Sequence, residues 1–273
     1  MSVVSIAREL GALGEETAKA YAALTGYRLL DREYLERKLS EHGIGPDERE
    51  KYDERKPGFW SALSQERDDY LHYLKTILYE EGAAGNCVVL GRGGTAVFAG
   101  VPGALSVRVV APHHLRVERV AKHYQCDERR AEQIIKRSDG DREGFHRFFF
   151  NTDWRDAVNY DLVLNTAVET PEAVAKAIEA TRQVFSTPER ERECAARLKE
   201  LALGQRIVTE VLYAKRVPIH FLEASVSKGL VTLHGVANTQ GAIDAALAAA
   251  RLVPGAEKVE SAIQVVQDFT VMP

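Results

Sequence analysis

Five short apolar runs, each followed by a longer stretch of helical periodicity, constrain this chain more than any other feature of its sequence. The runs are Val3–Ile6, Gly26–Asp31, Cys87–Leu90, Leu105–Val110 and Tyr160–Asn165. Cys87-Val88-Val89-Leu90 has no polar position to present to water, which fits the centre of a parallel sheet. Parallel strands need crossover helices on both faces, so the predicted class is α/β, with a five-stranded parallel sheet covered on both sides. Periodicity predicts the helices as an Ala-rich segment through Leu24, then Arg32–Ser40, Ser64–Glu81, a helix opened by Pro112, Asp127–Arg137, and Pro171–Phe185. Between the second and third of these, His42–Trp60 is broken by Gly43, Gly45, Pro46, Pro57 and Gly58, and is predicted to be irregular and mobile.

The pattern changes at Ser186–Arg192, where a proline and a burst of charge intervene. A helix over Cys194–Tyr213, two alternating strands within Ile219–Val236 around Ser227-Lys228-Gly229, a helix over Ala242–Leu252 and a strand over Val259–Val265 follow. This predicts a small α+β domain of αββαβ order, dividing the chain into residues 1–187 and 188–273.

Lys and Arg number 36 against 40 Asp and Glu, a net charge of -4, so no overall basic field points to nucleic acid as a partner. Cys87, Cys126 and Cys194 are far apart and lack metal-ligand spacing, so the sequence predicts reduced thiols and no metal site of their making. With no signal-peptide pattern and no apolar run of transmembrane length, the expected location is cytoplasmic.

The candidate site residues fall where strands end. Gly11 and Gly14, between the first strand and first helix, outline a phosphate loop in which backbone N–H groups and the helix dipole face an anion. A full P-loop reads G-x-x-x-x-G-K-[ST]. Here no lysine follows Gly14; Glu15 and Glu16 occupy the first turn, satisfy the dipole themselves and repel a polyphosphate. As a motif alone, the stretch also fits an ordinary β-turn-α connection. Asp31 and Arg37 fit one crevice at the carboxyl edge of the sheet, and equally a plain N-cap and a solvated helix face. Arg92 stands among glycines after the third run, suited to bidentate phosphate recognition or to a simple exposed turn. Arg116 and Arg119 share a helix face, and Arg137, Asp139 and Arg142 lie in a polar segment before the fifth strand. Phe148-Phe149-Phe150 and Trp154 read as packing. Such a set of arginines is what several phosphates need, because phosphoryl transfer rests on positioning and charge stabilisation.

In order and spacing, several blocks resemble the cytidylate kinase-like family, a branch of the P-loop nucleoside monophosphate kinases. These are Ala7-Arg8-Glu9-Leu10-Gly11, Gly26-Tyr27-Arg28-Leu29-Leu30-Asp31, Lys51-Tyr52-Asp53-Glu54-Arg55-Lys56-Pro57, Val88-Val89-Leu90-Gly91-Arg92-Gly93, and Trp154 with Asn159–Thr166. The resemblance covers roughly residues 1 to 185 and implies a P-loop kinase-type fold that transfers the γ-phosphoryl of ATP, with Mg²⁺, to CMP or a related monophosphate. By the same resemblance the early loop holds ATP phosphates at Gly11 and Gly14, and Arg116 and Arg119 line the ATP side. Asp31, Arg37 and Arg92 take the acceptor, while Arg137, Asp139 and Arg142 form a closing lid that acts with Arg8. The family's arginine after the loop glycines is here Glu15, its glycine before Gly14 is Leu13, and the aspartate of cytidylate kinases proper is Gly93. These departures set a second expectation beside the enzyme: a catalytically weak or inactive nucleotide-binding regulator. Lys228–Gly235 and Val253–Val259 resemble a BON domain over about residues 190 to 267, which implies an interaction module for a protein partner or a membrane surface. Protein is the favoured partner, because the Ala242–Leu252 helix is small and apolar with Arg251 as its only base.

Overall fold

The computed structural model describes residues 2–44 and 64–266. The segment His42–Trp60 lies outside these from residue 45 onward, as does all of Lys51–Pro57. The chain divides into two compact units, Met1–Ala195 and Ala196–Pro273, with the divide inside the helix Pro188–Val208.

The first unit is built on five parallel strands: β1 (Val3–Arg8), β2 (Arg28–Leu30), β3 (Cys87–Leu90), β4 (Ala104–Val110) and β5 (Leu162–Asn165). Their spatial order is β2-β3-β1-β4-β5, so β1 is central. All six of its residues are buried. On one face Val4 and Ile6 join Val88, Leu105, Val107 and Val109 in a core closed by Ala18, Tyr21, Val174 and Ile178 of the helices α1 (Gly14–Thr25) and Pro171–Phe185. On the other face a short helix, Gly94–Val97, lies so close that a Cβ on Gly94 would stand 2.7 Å from Val89 Cγ1.

Capping chemistry sets the helix starts. Asp31 accepts from Tyr34 N at 3.0 Å to open α2 (Arg32–Glu41), and Thr170 accepts from Ala173 N ahead of Pro171. After α3 (Ser64–Ala83), Gly94–Val97 is α4, His113–Tyr124 is α5 and Glu128–Phe150 is α6. The last departs from the sequence expectation. Instead of ending near Arg137, the helix runs on through Gly140 and Gly144 as one piece of 23 residues. Two helical glycines cost about 1 kcal/mol each. Burial of Ala131, Ile135, Asp139, Arg142, Phe145 and Phe149, all on one face, offsets that cost.

The second unit has its own core, centred on Ile207, Val211, Val231, Leu233, Ala246 and Ala250. Its sheet has the order β6-β7-β8, with β6 (His220–Ser227) antiparallel and β8 (Lys258–Val265) parallel to β7 (Leu230–Ala237). Lys228 and Gly229 both take positive φ, the geometry of a tight hairpin turn. The crossover from β7 to β8 is the helix Gln240–Arg251. Near its start β6 bulges between His220 and Glu223, leaving Phe221 70% exposed. Among the described residues, no helix is long and apolar enough to cross a membrane.

Candidate functional site

Past Arg8 the chain leaves β1 and turns through Glu9–Leu13 into α1. Gly11 (φ 79) and Leu13 (φ 58) are both left-handed, which turns successive N–H groups toward one concavity. Gly11 is required on two counts: its φ, and the 2.9 Å that would separate a Cβ from Arg116 O. Gly14 lets α1 begin against Arg8, whose Cβ would lie 2.3 Å from an added methyl. Thr17 Oγ1 donates to Leu13 O at 2.7 Å and holds the loop to its helix.

The carbonyl side of the loop is tied down by side chains from α5 and the end of β5. Arg116 Nε donates to Leu10 O at 2.8 Å, Arg119 Nη1 to Gly11 O at 3.2 Å, and Thr166 Oγ1 to Ala12 O at 3.0 Å. With the carbonyls drawn outward, the N–H groups of Gly11, Leu13 and Gly14 make no hydrogen bond among the described residues and remain for an anion.

One carboxylate already sits on the loop. Asp139 Oδ1 accepts from Leu10 N at 3.0 Å and from Arg142 Nη1 at 3.2 Å, while Oδ2 is hydrogen-bonded to Arg116 Nη2. Arg116 also reaches Glu9 at 3.2 Å, and Glu9 takes Arg108 at 3.2 Å. Arg108 in turn lies between the rings of Trp154 (4.6 Å) and Tyr160 (5.7 Å) and donates to Trp154 O. Arg8 faces Glu15 at 3.5 Å. Arg8, Arg108, Arg116 and Arg142 are thus each ion-paired within the protein, while Arg119 donates to the neutral oxygens of Gly11 and Thr166. Arg142, 1% exposed, is met in the interior by Asp139 and by Ser138 Oγ, which offset the cost of burying its charge.

A second cation stands after β3. Gly91, Arg92 and Gly93 take successive left-handed φ values of 69, 51 and 69°, and Arg92 is 3% exposed. A non-glycine residue in this region is strained, and here Glu36 (3.0 Å) and Tyr70 OH (3.3 Å) hold its guanidinium. The place of a side chain on Gly93 is taken by Phe150, whose ring carbon would lie 2.3 Å from an added Cβ.

The structure therefore brings Arg8, Gly11, Gly14, Arg116, Arg119, Asp139 and Arg142 to one loop. Asp31 is the N-cap of α2, and Arg37 lies over the Tyr34 ring at 5.0 Å on an exposed face, so Glu36 rather than Arg37 meets Arg92. Arg137 is exposed on α6, away from the buried face that carries Asp139 and Arg142. Glu9, Arg108, Thr166 and Glu36 belong to the arrangement without having been singled out. Arg108 left a signal, a charge between Val107 and Val109 in a strand buried on both faces. Glu36 left none, because only the packing of α2 shows which helix face meets Arg92.

Among the described residues no group of three or more His, Cys, Asp or Glu side chains is arranged to hold a metal ion. The loop amides fit a phosphate group. A Mg²⁺ ion would be held through nucleotide phosphates and water, as its reluctance to dehydrate favours. In the second unit, Ser225 Oγ lies 3.1 Å from His234 Nε2 on an exposed strand pair.

Comparison with known proteins places these features. The model of the cytidylate kinase-like family matches residues 3–168, and that of the BON domain matches residues 200–267. No curated protein matches the chain. Among solved structures, an uncharacterized protein from Eubacterium ventriosum ATCC 27560 is 18% identical, with a TM-score of 0.54 over 67% of this chain and 99% of that one. A shikimate kinase from Acinetobacter baumannii in complex with shikimate is 16% identical (TM-score 0.37, 67% and 94% covered). TT1252 from Thermus thermophilus is 17% identical (TM-score 0.41, 68% and 98% covered). At 18% identity the likeness to the Eubacterium ventriosum protein is one of fold alone.

Proposed function

We propose, from the premise that the chain belongs to the cytidylate kinase-like family, that its first unit binds a nucleotide through the loop Glu9–Gly14 and acts chiefly as a nucleotide-responsive regulator. The observation that carries this reading is the Asp139 carboxylate on Leu10 N, clasped by Arg116 and Arg142. An internal anion there competes with phosphate, and Glu15 at the head of α1 adds like charge where the loop lysine would stand. Ligand binding would then have to separate Asp139 from its arginines, and the difference in affinity between the two arrangements is what a regulator needs.

A kinase reading stands second, supported by Arg92, a buried guanidinium held in a strained conformation. In that reading ATP, with Mg²⁺, is the donor and Arg92 positions a nucleoside monophosphate. CMP is the first candidate, although Gly93 and Phe150 leave no room for the aspartate that cytidylate kinases proper carry. The BON domain is proposed to carry the first unit to a partner, with protein favoured over lipid.

Calorimetric titration with ATP and CMP, joined to a coupled assay across CMP, UMP, dCMP and AMP, separates these readings. Binding without turnover supports the regulator, and turnover with any acceptor supports the kinase. Absence of binding at about 1 mM of each nucleotide would overturn both.

A further inference from the structure

On the sheet face opposite α1, away from the phosphate loop, the first unit holds a cavity of about 460 Å³. Its floor is Ser5 of β1 with Leu105 and Ser106 of β4, and its walls include Thr95, Phe98, Val101 and Pro102 on one side. His146, Thr152, Asp153 and Tyr160 with Asp161 form the other. The volume falls within the range of small-molecule sites.

Two hydroxyls mark this cavity as more than a packing defect. Ser5 is 2% exposed in the middle of the central strand, and its Oγ has no hydrogen-bond partner among the described residues; the buried Thr152 Oγ1 has none either. A buried hydroxyl left unpaired costs roughly 1–3 kcal/mol, so two of them along one cavity call for an occupant that pairs with them. At β1 the sheet's other face carries Val4 and Ile6, so apolar residues suit this strand and Ser5 is the exception.

The lining decides the charge of that occupant. It includes Asp153 and Asp161 but no lysine or arginine, in contrast to the arginine-rich loop above it. Asp161 Oδ2 accepts from Ser106 N and Oγ at 2.8 and 2.7 Å, and Asp153 Oδ1 accepts from Arg155 N at 2.8 Å, so both are held by groups that bring no full charge to these contacts. An anion placed here would meet two carboxylates and neither lysine nor arginine, with His146 the one imidazole of the lining. We infer that this cavity is a second ligand site, distinct from the nucleotide loop, that takes an unphosphorylated neutral or cationic molecule. That molecule has an apolar ring packed against Phe98 and Pro102 and a polar head toward the hydroxyls. Ser5 lies on the strand that leads to Arg8, and Thr95 follows shortly after Arg92, so the occupant would touch both segments that supply the phosphate site.

The test uses the full chain and three probes that share a ring and differ in charge: benzylamine, benzyl alcohol and benzoate. Binding is followed by saturation-transfer NMR and by chemical shifts of the backbone amides. The expected result is binding of benzylamine and benzyl alcohol, each at least about tenfold tighter than benzoate, with shifts at Ser5, Thr95 and Thr152. Ala99→Trp, which fills the cavity from an exposed lining position, should abolish binding of both while leaving the unfolding midpoint in place. Should that variant be unstable, Val158→Trp at the exposed rim serves the same purpose. Benzoate binding as tightly as benzylamine, equal binding by a folded filled variant, or no binding of any probe at about 10 mM would overturn the inference.

Discussion

Asp139 and Leu10 lie 129 positions apart in the chain, yet the carboxylate of the one accepts the backbone N–H of the other at 3.0 Å. This contact joins α6 to the loop between β1 and α1 and sets a carboxylate against the loop's backbone. Its other bonds, to Arg116 and Arg142, make the loop, α5 and α6 one ion-paired assembly.

Replacing Asp139 with alanine takes a carboxylate from two buried guanidiniums, of which Arg116 keeps Glu9, and should lower stability by about 3–5 kcal/mol, read from urea unfolding. Asp139→Asn keeps an acceptor for Leu10 N while removing the charge. It should lose less stability and, by freeing the loop of its internal anion, raise affinity for ATP or inorganic phosphate in calorimetry. A weaker affinity in a folded Asp139→Asn variant would show that Asp139 helps to bind the nucleotide.

Glu15→Arg removes the carboxylate 3.5 Å from Arg8 and puts a cation in the first turn of α1. Affinity for ATP should rise about tenfold at low salt, and the gain should shrink as salt screens it. Titrations at two ionic strengths check both parts.

Gly93→Asp meets both a positive φ and the Phe150 ring, and should cost about 1–3 kcal/mol in overpacking alone. Phe150→Ala opens the space, so the double variant should lose less than the sum of the two single losses. A thermodynamic cycle from denaturant melts measures that coupling, and additive losses would mean that Phe150 is not what fills the site.

Burial pushes the Cys87 thiol up to about 12, and the Cys194 thiol up as well, whereas Cys126 is only half-buried. A raised thiol pKa means that the reactive thiolate is scarce below it. At pH 8 the folded chain should therefore expose one thiol to rapid alkylation, at Cys126, with the other two reacting only after denaturation. Mass mapping of the alkylated peptides checks the assignment.

The sequence carried the sheet well, because runs such as Cys87–Leu90 are buried on both faces and have no polar residue to obscure the period. It carried α6 less well. Gly140 and Gly144 among charges look like a break, and the compensating contacts are tertiary: Asp139 to Leu10 and Arg116, Arg142 to Asp139, Phe150 on Gly93. The loop itself was legible at Gly11 and Gly14, where backbone conformation and close approach demand glycine. Partners such as Glu36 and Thr166 were not, since the register of one helix face or the end of an edge strand is settled only when the elements pack.

The strand order also fixes a schedule for biosynthesis. β1 pairs on one side with residues 87–90 and on the other with residues 104–109, so its apolar residues leave the ribosome well before either neighbour exists. At typical elongation rates that interval is on the order of ten seconds. Throughout it Val3, Val4 and Ile6 lack the partners that bury them in the finished sheet, so the nascent chain carries an unpaired apolar stretch until β4 has emerged.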